Sequence, residues 1–256
     1  SSLNPARRVG SQLSDTSRFW GKRTRAQAHD DAVDRLRRVR IAAPERRVDD
    51  ERLLELAADG LDVRVDAGPL DRVQVNGGGG VMLSGADPLS EIATICAAHA
   101  KLGTTGLLPT LITTSTRQTR SVLAAGVAAV GRVPGFLGLH LEGPHLDPKR
   151  PGCHPAEHIR PMTEDDLDLI CEARAGLPVL MLTVAPASVT PEHIAKLTEA
   201  GVTVALGHAA CSFAEAQAAH DAGARIVTHL FNAMSQLGSR EPGLVGAALS
   251  LPFAAG

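Results

Sequence analysis

Three residues whose side chains bind metals follow three short apolar segments of the chain. The segment Phe136–Glu142 ends in a glutamate, and two β-branched segments further along end in His208 and His229. The two histidines are about one strand and one helix apart, so both should reach the same edge of a parallel sheet. One carboxylate and two imidazoles leave a fourth position open, which is typical of a catalytic zinc site. We therefore expect Glu142, His208 and His229 to bind a divalent metal ion.

The other histidines support no comparable cluster. His140 lies two residues before Glu142 on the same face of the predicted strand, and we expect it in the core or beside the metal ligands. His145 and His158 fall in loops and receive no role. Three further histidines fall on predicted helices and are expected to be solvated: His99, His193 and His220.

A pair of amides precedes a glycine run near the start of the alternating pattern. Gln74 and Asn76 have the spacing that places two side chains on one face of a strand. The glycines Gly77–Gly80 either approach a ligand such as a phosphate or form a plain turn. The chain has no P-loop motif and no strand-linked GxGxxG, so nucleotide binding is not supported. Cys153 and His154 are neighbours, and adjacent side chains rarely form a catalytic pair.

The elements that must position these residues begin at about residue 73, where β-branched or aliphatic runs alternate with alanine-rich amphipathic stretches. The predicted strands are Val73–Asn76, Gly106–Thr113, Phe136–Glu142, Val179–Val184, Val202–Leu206 and Arg225–His229. The predicted helices are Pro88–Lys101, Arg117–Val130, Glu164–Ala175, Pro191–Ala200 and Phe213–Ala222. The alternation predicts parallel strands with right-handed crossovers, in a (β/α)8 TIM barrel or an open doubly wound sheet. Because a closed barrel needs eight strands, the barrel would be incomplete here, with about six βα units.

Local signals support several helix boundaries. Ser212 and Glu215 have the spacing of a capping box, and Thr190 precedes a proline at the first position of a predicted helix. Three glycines follow predicted helix ends: Gly103, Gly201 and Gly223. These residues predict where the helices start and stop.

Composition limits the classes of protein. The chain has 256 residues, with 26 Lys+Arg against 28 Asp+Glu, and this near-neutral balance argues against binding to nucleic acid or to a membrane surface. Hydrophobic residues make up 44% and aromatic residues only 2%, so a globular fold with an aliphatic core is expected. No apolar run approaches the roughly 18–20 residues that span a bilayer. Four widely spaced cysteines and no secretory signal favour free thiols in the cytoplasm.

The first part of the chain differs from the rest. Residues 1–60 are rich in arginine and have weak apolar periodicity, apart from one short predicted helix near Asp50–Ala58. We expect an arginine-rich arm or a divergent N-terminal segment there, followed by a partial barrel over residues 61–256.

Several motifs together resemble one known family. They are Val73–Gly80, Leu108–Thr114, His140–Leu146 (HLEGPHL), Pro151–Pro155 (PGCHP), Leu206–His208 (LGH), Thr228–Met234 (THLFNAM) and Arg240–Gly246 (REPGLVG). In this order, from about Val73 to Leu249, they resemble N-acetylglucosamine-6-phosphate deacetylase, a family of the metal-dependent amidohydrolase superfamily.

The resemblance implies a reaction and a set of site residues. The same three ligands would bind one divalent metal, zinc first, with iron, cobalt or manganese as alternatives. Gln74 and Asn76 stand where many amidohydrolases carry a His-x-His pair. This replacement resembles the single-metal branch of the family, and the two amides would lie near the substrate. His154 would contact the N-acetyl group or the sugar. The 6-phosphate would be held by Asn232, the Ala233 backbone and Arg240, partly from a neighbouring subunit, which implies a homodimer. The activity implied is hydrolysis of N-acetylglucosamine 6-phosphate to glucosamine 6-phosphate and acetate.

The sequence also departs from this family. The family's acid/base aspartate and a further substrate-binding histidine belong to the last two strands, which have no match here. Asp87, Asp147 and Asp221 are not expected to replace the aspartate, because none follows a predicted strand. Two hypotheses stay open: a deacetylase that is active in a longer or complemented form, and a non-catalytic remnant that binds metal or phosphosugar. A phosphosugar isomerase on a (β/α)8 barrel would explain Arg240 but not the Glu/His/His trio.

Overall fold

The computed structural model describes residues 71–255, so the predicted helix near Asp50–Ala58 and the boundary at residue 60 lie outside the described part. The strands are β1 (Asp71–Val75), β2 (Gly106–Ile112), β3 (Gly138–Glu142), β4 (Val179–Val184), β5 (Thr203–Leu206), β6 (Ile226–Val227) and β7 (Ala254–Ala255). The helices are α1 (Pro88–Ala100), α2 (Thr116–Ala129), α3 (Glu164–Ala175), α4 (Pro191–Glu199), α5 (Phe213–Asp221) and α6 (Gly243–Ser250), with a 3-10 turn at Ala156–His158. All six predicted strands and all five predicted helices are present.

The strands form one parallel sheet in the sequential order β1 to β7. A doubly wound sheet reverses its strand order at a switch point, whereas a barrel adds each new strand beside the last. The sequential strand order therefore shows that the sheet is part of an incomplete (β/α) barrel and not an open doubly wound sheet.

Contacts between non-adjacent strands show that the sheet is curled. In a flat sheet β3 and β6 would lie about 14 Å apart, since neighbouring strands are spaced by roughly 4.8 Å. Instead, Oε1 of Glu142 on β3 lies 3.4 Å from Nε2 of His229, just beyond β6. Gln74 on β1 also donates a hydrogen bond to Thr228 beyond β6. The curvature thus brings the ends of distant strands to one place.

The hydrophobic core has two parts, because the sheet of a barrel packs against helices on its outer face and against other side chains on its inner face. Most buried aliphatic residues lie between sheet and helices, among them Ile95, Leu139 and Ile194. A smaller cluster of Leu108, Met181 and Ala205 packs separately. Because Leu107 on β2 belongs to the larger part and its neighbour Leu108 to the smaller one, this strand has buried side chains on both faces and forms part of the wall between them.

The predicted helix signals are confirmed. Ser212 and Glu215 form a capping box at the start of α5, and Thr190 accepts a hydrogen bond from the backbone of His193 at the start of α4. The three predicted glycines after α1, α4 and α5 all have positive φ, a conformation that glycine adopts at little cost.

Two elements at the end of the chain were not predicted. Helix α6 contains Gly243 and Gly246, and glycine has low helix propensity. Strand β7 has only two residues, too few for any periodicity, so the prediction of six strands was one short. Among residues 71–255, no helix combines the length and apolarity needed to cross a lipid bilayer.

Candidate metal centre

The three predicted ligands meet at the C-terminal ends of their strands. Glu142 is the last residue of β3. His208 lies two residues beyond the end of β5, and His229 lies two residues beyond the end of β6. Both histidines have left-handed backbones, with φ of 46° and 35°. Non-glycine residues rarely adopt this conformation, and when they do they cluster at functional sites.

Their ligand atoms form a compact triangle. Oε1 of Glu142 lies 3.3 Å from Nε2 of His208 and 3.4 Å from Nε2 of His229. The two Nε2 atoms are 3.0 Å apart. Ligands about 2.0–2.1 Å from a tetrahedral zinc ion would lie roughly 3.3 Å from one another. The observed separations therefore fit the binding of one small cation by these residues.

The orientation of the two imidazoles supports this interpretation. Nδ1 of His208 donates to the carbonyl oxygen of Arg150 at 2.9 Å, and Nδ1 of His229 donates to the carbonyl oxygen of Asn232 at 3.0 Å. In the neutral form each Nε2 then carries a lone pair, and two lone pairs that face each other at 3.0 Å repel. A cation between them removes the repulsion, and such backbone partners commonly orient metal-binding histidines.

The electrostatics of the centre also favour a positive charge. Burial opposes ionisation of Glu142, but when no cation is bound a proton on Nε2 of His208 or His229 can take its place and be donated to the carboxylate, and these hydrogen bonds hold the pKa of Glu142 well below its usual range. Burial also opposes protonation of His229, but without a cation the protonated ring donates to Glu142, which raises the pKa of this imidazole, and a bound cation would replace that proton. A buried carboxylate that retains its charge needs a positive partner.

His154 adjoins the triangle. Its Nδ1 lies 2.9 Å from Oγ1 of Thr113, and its Nε2 lies 3.9 Å from Oε2 of Glu142. The ring meets that of His208 edge-on, with centroids 4.5 Å apart. Burial, together with the nearby His208, lowers the pKa of His154 to about 4. A neutral imidazole, fixed in place by Thr113, thus borders the candidate metal centre.

The predicted pair Gln74 and Asn76 separates in the structure. Gln74 is partly buried on β1, and its amide donates to Thr228, the residue before His229. Asn76 follows β1 and is exposed. Gln74 thus contacts the side chain of the residue that precedes a metal ligand.

The residues predicted to hold a phosphate lie in the segment after β6. Asn232 is exposed, and its carbonyl oxygen orients His229. Ala233 has a left-handed φ of 49°, and its carbonyl oxygen accepts a hydrogen bond from Ala209. Arg240 is exposed three residues before α6.

Several residues that support the centre were not predicted. Oδ2 of Asp147 accepts a hydrogen bond from the backbone of Ala210, and the backbone N–H of Asp147 donates to the carbonyl oxygen of His208. The backbone carbonyl of Arg150 orients His208, and no residue type signals such a role. For Asp147 the only available signal was its position next to the HLEGPHL motif.

The expectation that three helical histidines are solvated was wrong. His99 donates from Nε2 to the carbonyl oxygen of Gly77, at 3.0 Å. The side chains of His193 and His220 are only 16% and 14% exposed, and they contact Glu164 and Phe253 respectively. Helical position alone does not reveal which histidines a neighbouring element covers.

The fold and the centre define a class: an incomplete (β/α) barrel in which residues 71–255 form one candidate metal site at the C-terminal ends of the strands, where enzymes of this fold have their active sites. No protein-family model matches the chain. An N-acetylgalactosamine-6-phosphate deacetylase of Shewanella sp. (strain ANA-3) is 43% identical over 185 residues, which are 72% of this chain and 46% of the relative. An N-acetylglucosamine-6-phosphate deacetylase of Haemophilus influenzae is 35% identical over 72% of this chain and 48% of the relative.

A solved structure agrees. The crystal structure of N-acetylglucosamine-6-phosphate deacetylase from Pasteurella multocida matches with a TM-score of 0.69 and 31% identity, over 73% of this chain and 49% of the other. The chain spans about half the length of the relatives it matches. The resemblance inferred from the motifs is confirmed: over that half, the chain is a relative of the amino-sugar-6-phosphate deacetylases.

Proposed function

We propose that this chain carries the metal centre of a deacetylase that hydrolyses an N-acetylated amino sugar 6-phosphate, with N-acetylglucosamine 6-phosphate as the first candidate. The products would be glucosamine 6-phosphate and acetate. The observation that carries the proposal is the triangle of Glu142, His208 and His229, because its donor set and spacing suit a single hydrolytic cation.

Zinc is the metal we propose first, since two imidazoles and one carboxylate form a typical zinc ligand set; iron, cobalt and manganese also accept it. The bound cation would polarise the acetyl carbonyl and lower the pKa of a water molecule. Glu142 supplies the negative charge that retains the cation, and the two histidines remain neutral ligands through their Nδ1 hydrogen bonds.

His154 is proposed to contact the N-acetyl group or the sugar. Its ring borders Glu142 and His208, and Thr113 holds its Nδ1, so Nε2 is the atom available to a substrate. The low pKa keeps this imidazole neutral near pH 7, so that it can form a hydrogen bond with the substrate without adding charge.

Recognition of the phosphate is proposed for the segment after β6. Arg240 would form paired hydrogen bonds with the phosphate oxygens, and Asn232 with the Ala233 backbone would complete the subsite. Gln74 on β1 and Asn76, just after this strand, would border the sugar. No acid/base group is assigned among residues 71–255: Asp147 is occupied by the backbone amides of Lys149 and Ala210.

We also propose a homodimer in the cytoplasm. All four cysteines are free thiols, which suits a reducing compartment. A dimer would allow a neighbouring subunit to contribute to the phosphate subsite.

The test is metal content and amine release by the purified chain. The zinc-loaded protein should release amine from N-acetylglucosamine 6-phosphate, and a chelator should abolish the release. Assays with the galactosamine isomer and with unphosphorylated N-acetylglucosamine would show which sugar is preferred and whether the phosphate is required.

A matched pair of variants makes this test specific. Glu142→Ala should lose both bound metal and turnover, whereas Glu172→Ala, at an exposed glutamate on α3, should lose neither. Unchanged metal content in Glu142→Ala would contradict the assigned site. Metal binding without turnover would support the alternative, a non-catalytic protein that binds metal or phosphosugar.

A further inference from the structure

Side chains on the inner face of the barrel lie in successive layers. The apolar cluster of Leu108, Met181 and Ala205 forms one layer. Two residues further along their strands, Thr110 and Thr183 follow Leu108 and Met181 on the same face. By the same spacing, His140 on β3 comes two residues before Glu142. A polar layer therefore lies between the apolar layer and the metal centre.

This layer is a continuous set of hydrogen-bonded side chains, here called the polar row. Its members are Gln74, Thr110, His140, Thr183 and Thr228, and the last four are almost fully buried. Nδ1 of His140 lies 3.0 Å from Oγ1 of Thr110, and Nε2 lies 2.8 Å from Oγ1 of Thr183. One imidazole thus connects β2 with β4 across β3.

The polar row then continues to the far side of the barrel. Oγ1 of Thr183 lies 3.4 Å from Oγ1 of Thr228, which also accepts a hydrogen bond from Gln74. At the other end, the backbone N–H of Val75 donates to Thr110 at 2.9 Å. The row therefore starts on β1, crosses the interior and returns to β1.

The position of the row matters because the metal ligands come from strands that do not pair. Strand β3 pairs with β2 and β4, and β6 pairs with β5 and β7, so no backbone hydrogen bond joins β3 to β6. The side chains of His140 and Thr228 supply the missing connection, through Thr183. His140 precedes Glu142 by two residues, and Thr228 directly precedes His229.

We propose that His140 is a positioning residue whose contact with Thr183 sets the separation of the metal ligands on β3 and β6, and thereby the affinity for a divalent cation. The proposal rests on the proposed function only in taking the triangle as a metal site. It concerns no catalytic step. Groups that support metal ligands in this indirect way typically change metal affinity by 10- to 100-fold when removed.

Two isosteric variants separate this role from simple packing. Thr183→Val breaks the connection between β3 and β6, whereas Thr110→Val removes a hydroxyl that also contacts His140 but lies outside that connection. Thr110→Val additionally leaves the buried N–H of Val75 without its acceptor, so its loss of stability should be at least as large. We expect about a tenfold or greater loss of zinc affinity in Thr183→Val and less than about threefold in Thr110→Val.

Two substitutions of His140 itself give a second comparison. The amide of Gln can replace Nε2 and keep the contact with Thr183, while the amide of Asn can replace only Nδ1 and keep the contact with Thr110. We therefore expect His140→Gln to retain most of the zinc affinity and His140→Asn to lose it.

The measurements are zinc affinity of the full chain, by competition with a chromophoric chelator, and the visible spectrum of the cobalt-loaded chain, which reports coordination geometry. Unfolding in urea, measured in parallel, records stability. Affinities that follow stability across all four variants would overturn the proposal and leave the proposed function intact. A wild-type chain that binds neither zinc nor cobalt would contradict the metal site, and with it both proposals.

Discussion

Gly152 lies directly against the imidazole of His208: a Cβ at position 152 would come 2.9 Å from Cε1 of the histidine. The backbone of Gly152 has a φ of +58°, which glycine adopts with little cost. The PGCHP motif thus approaches a metal ligand closely at its only glycine. Glycine is required there both by conformation and by space.

Replacing this glycine should disturb the metal centre more than it disturbs the fold. Gly152→Ala should weaken zinc binding by about tenfold, because the new methyl group displaces His208 from the triangle. Its backbone strain should cost about 1–2 kcal/mol of stability. Gly131→Ala is the control: its φ is +70°, and a Cβ there meets nothing within 4 Å. Equal zinc affinities of the two variants would contradict the proposed role of the contact.

Asp166 should stabilise the fold in a pH-dependent way. Burial opposes its ionisation, but hydrogen bonds from Arg160 and Thr163 hold the pKa of this carboxyl well below its usual range. A carboxyl with a lowered pKa stabilises the folded state above its unfolded pKa of about 4, and this contribution falls as the pH drops below that value.

Asp166→Asn should therefore lose about 1–3 kcal/mol at pH 7, with a smaller loss near pH 3. Urea unfolding at both pH values measures the difference. The exposed Asp165→Asn, at the neighbouring position on α3, serves as the control. A loss in Asp166→Asn that is the same at pH 7 and pH 3 would exclude the ionised carboxylate as its cause.

The four thiols should react at very different rates. Cys153 is exposed, whereas burial raises the pKa of Cys96 to about 11 and that of Cys211 to about 12. Because the thiolate is the reactive form, a maleimide at pH 7 should label Cys153 first and leave Cys96 and Cys211 unlabelled until the protein unfolds. Peptide mass spectrometry would identify the sites, and Cys153→Ser should lose the fast phase. Rapid labelling of native Cys211 would contradict its buried position.

The chain should associate in solution. Within residues 71–255, β1 pairs only with β2, and β7 pairs only with β6, so each leaves one edge without a partner among these residues. Unpaired strand edges favour contact with another chain. Light scattering should detect a dimer or larger species across micromolar concentrations. A monodisperse monomer there would contradict both this expectation and the proposed homodimer.

Much of the fold could be predicted because its signals are local. Strand and helix periods, the capping box at Ser212 and the glycines after helices depend only on residues close in sequence. Short elements such as β7 contain too few residues for a period, and α6 begins with a glycine that disfavours a helix. These were missed for that reason.

The sequence by itself determined the alternation of strands and helices, the family resemblance and the identity of Glu142, His208 and His229 as candidate ligands. Only the tertiary structure decided between a barrel and an open sheet, because no local sequence pattern determines the order of the strands. It also decided that the carbonyl oxygens of Arg150 and Asn232 orient the two histidines, and that His140 connects β2 with β4. These contacts join residues far apart in sequence, and they exist because the curled sheet brings the ends of unpaired strands within a few ångströms.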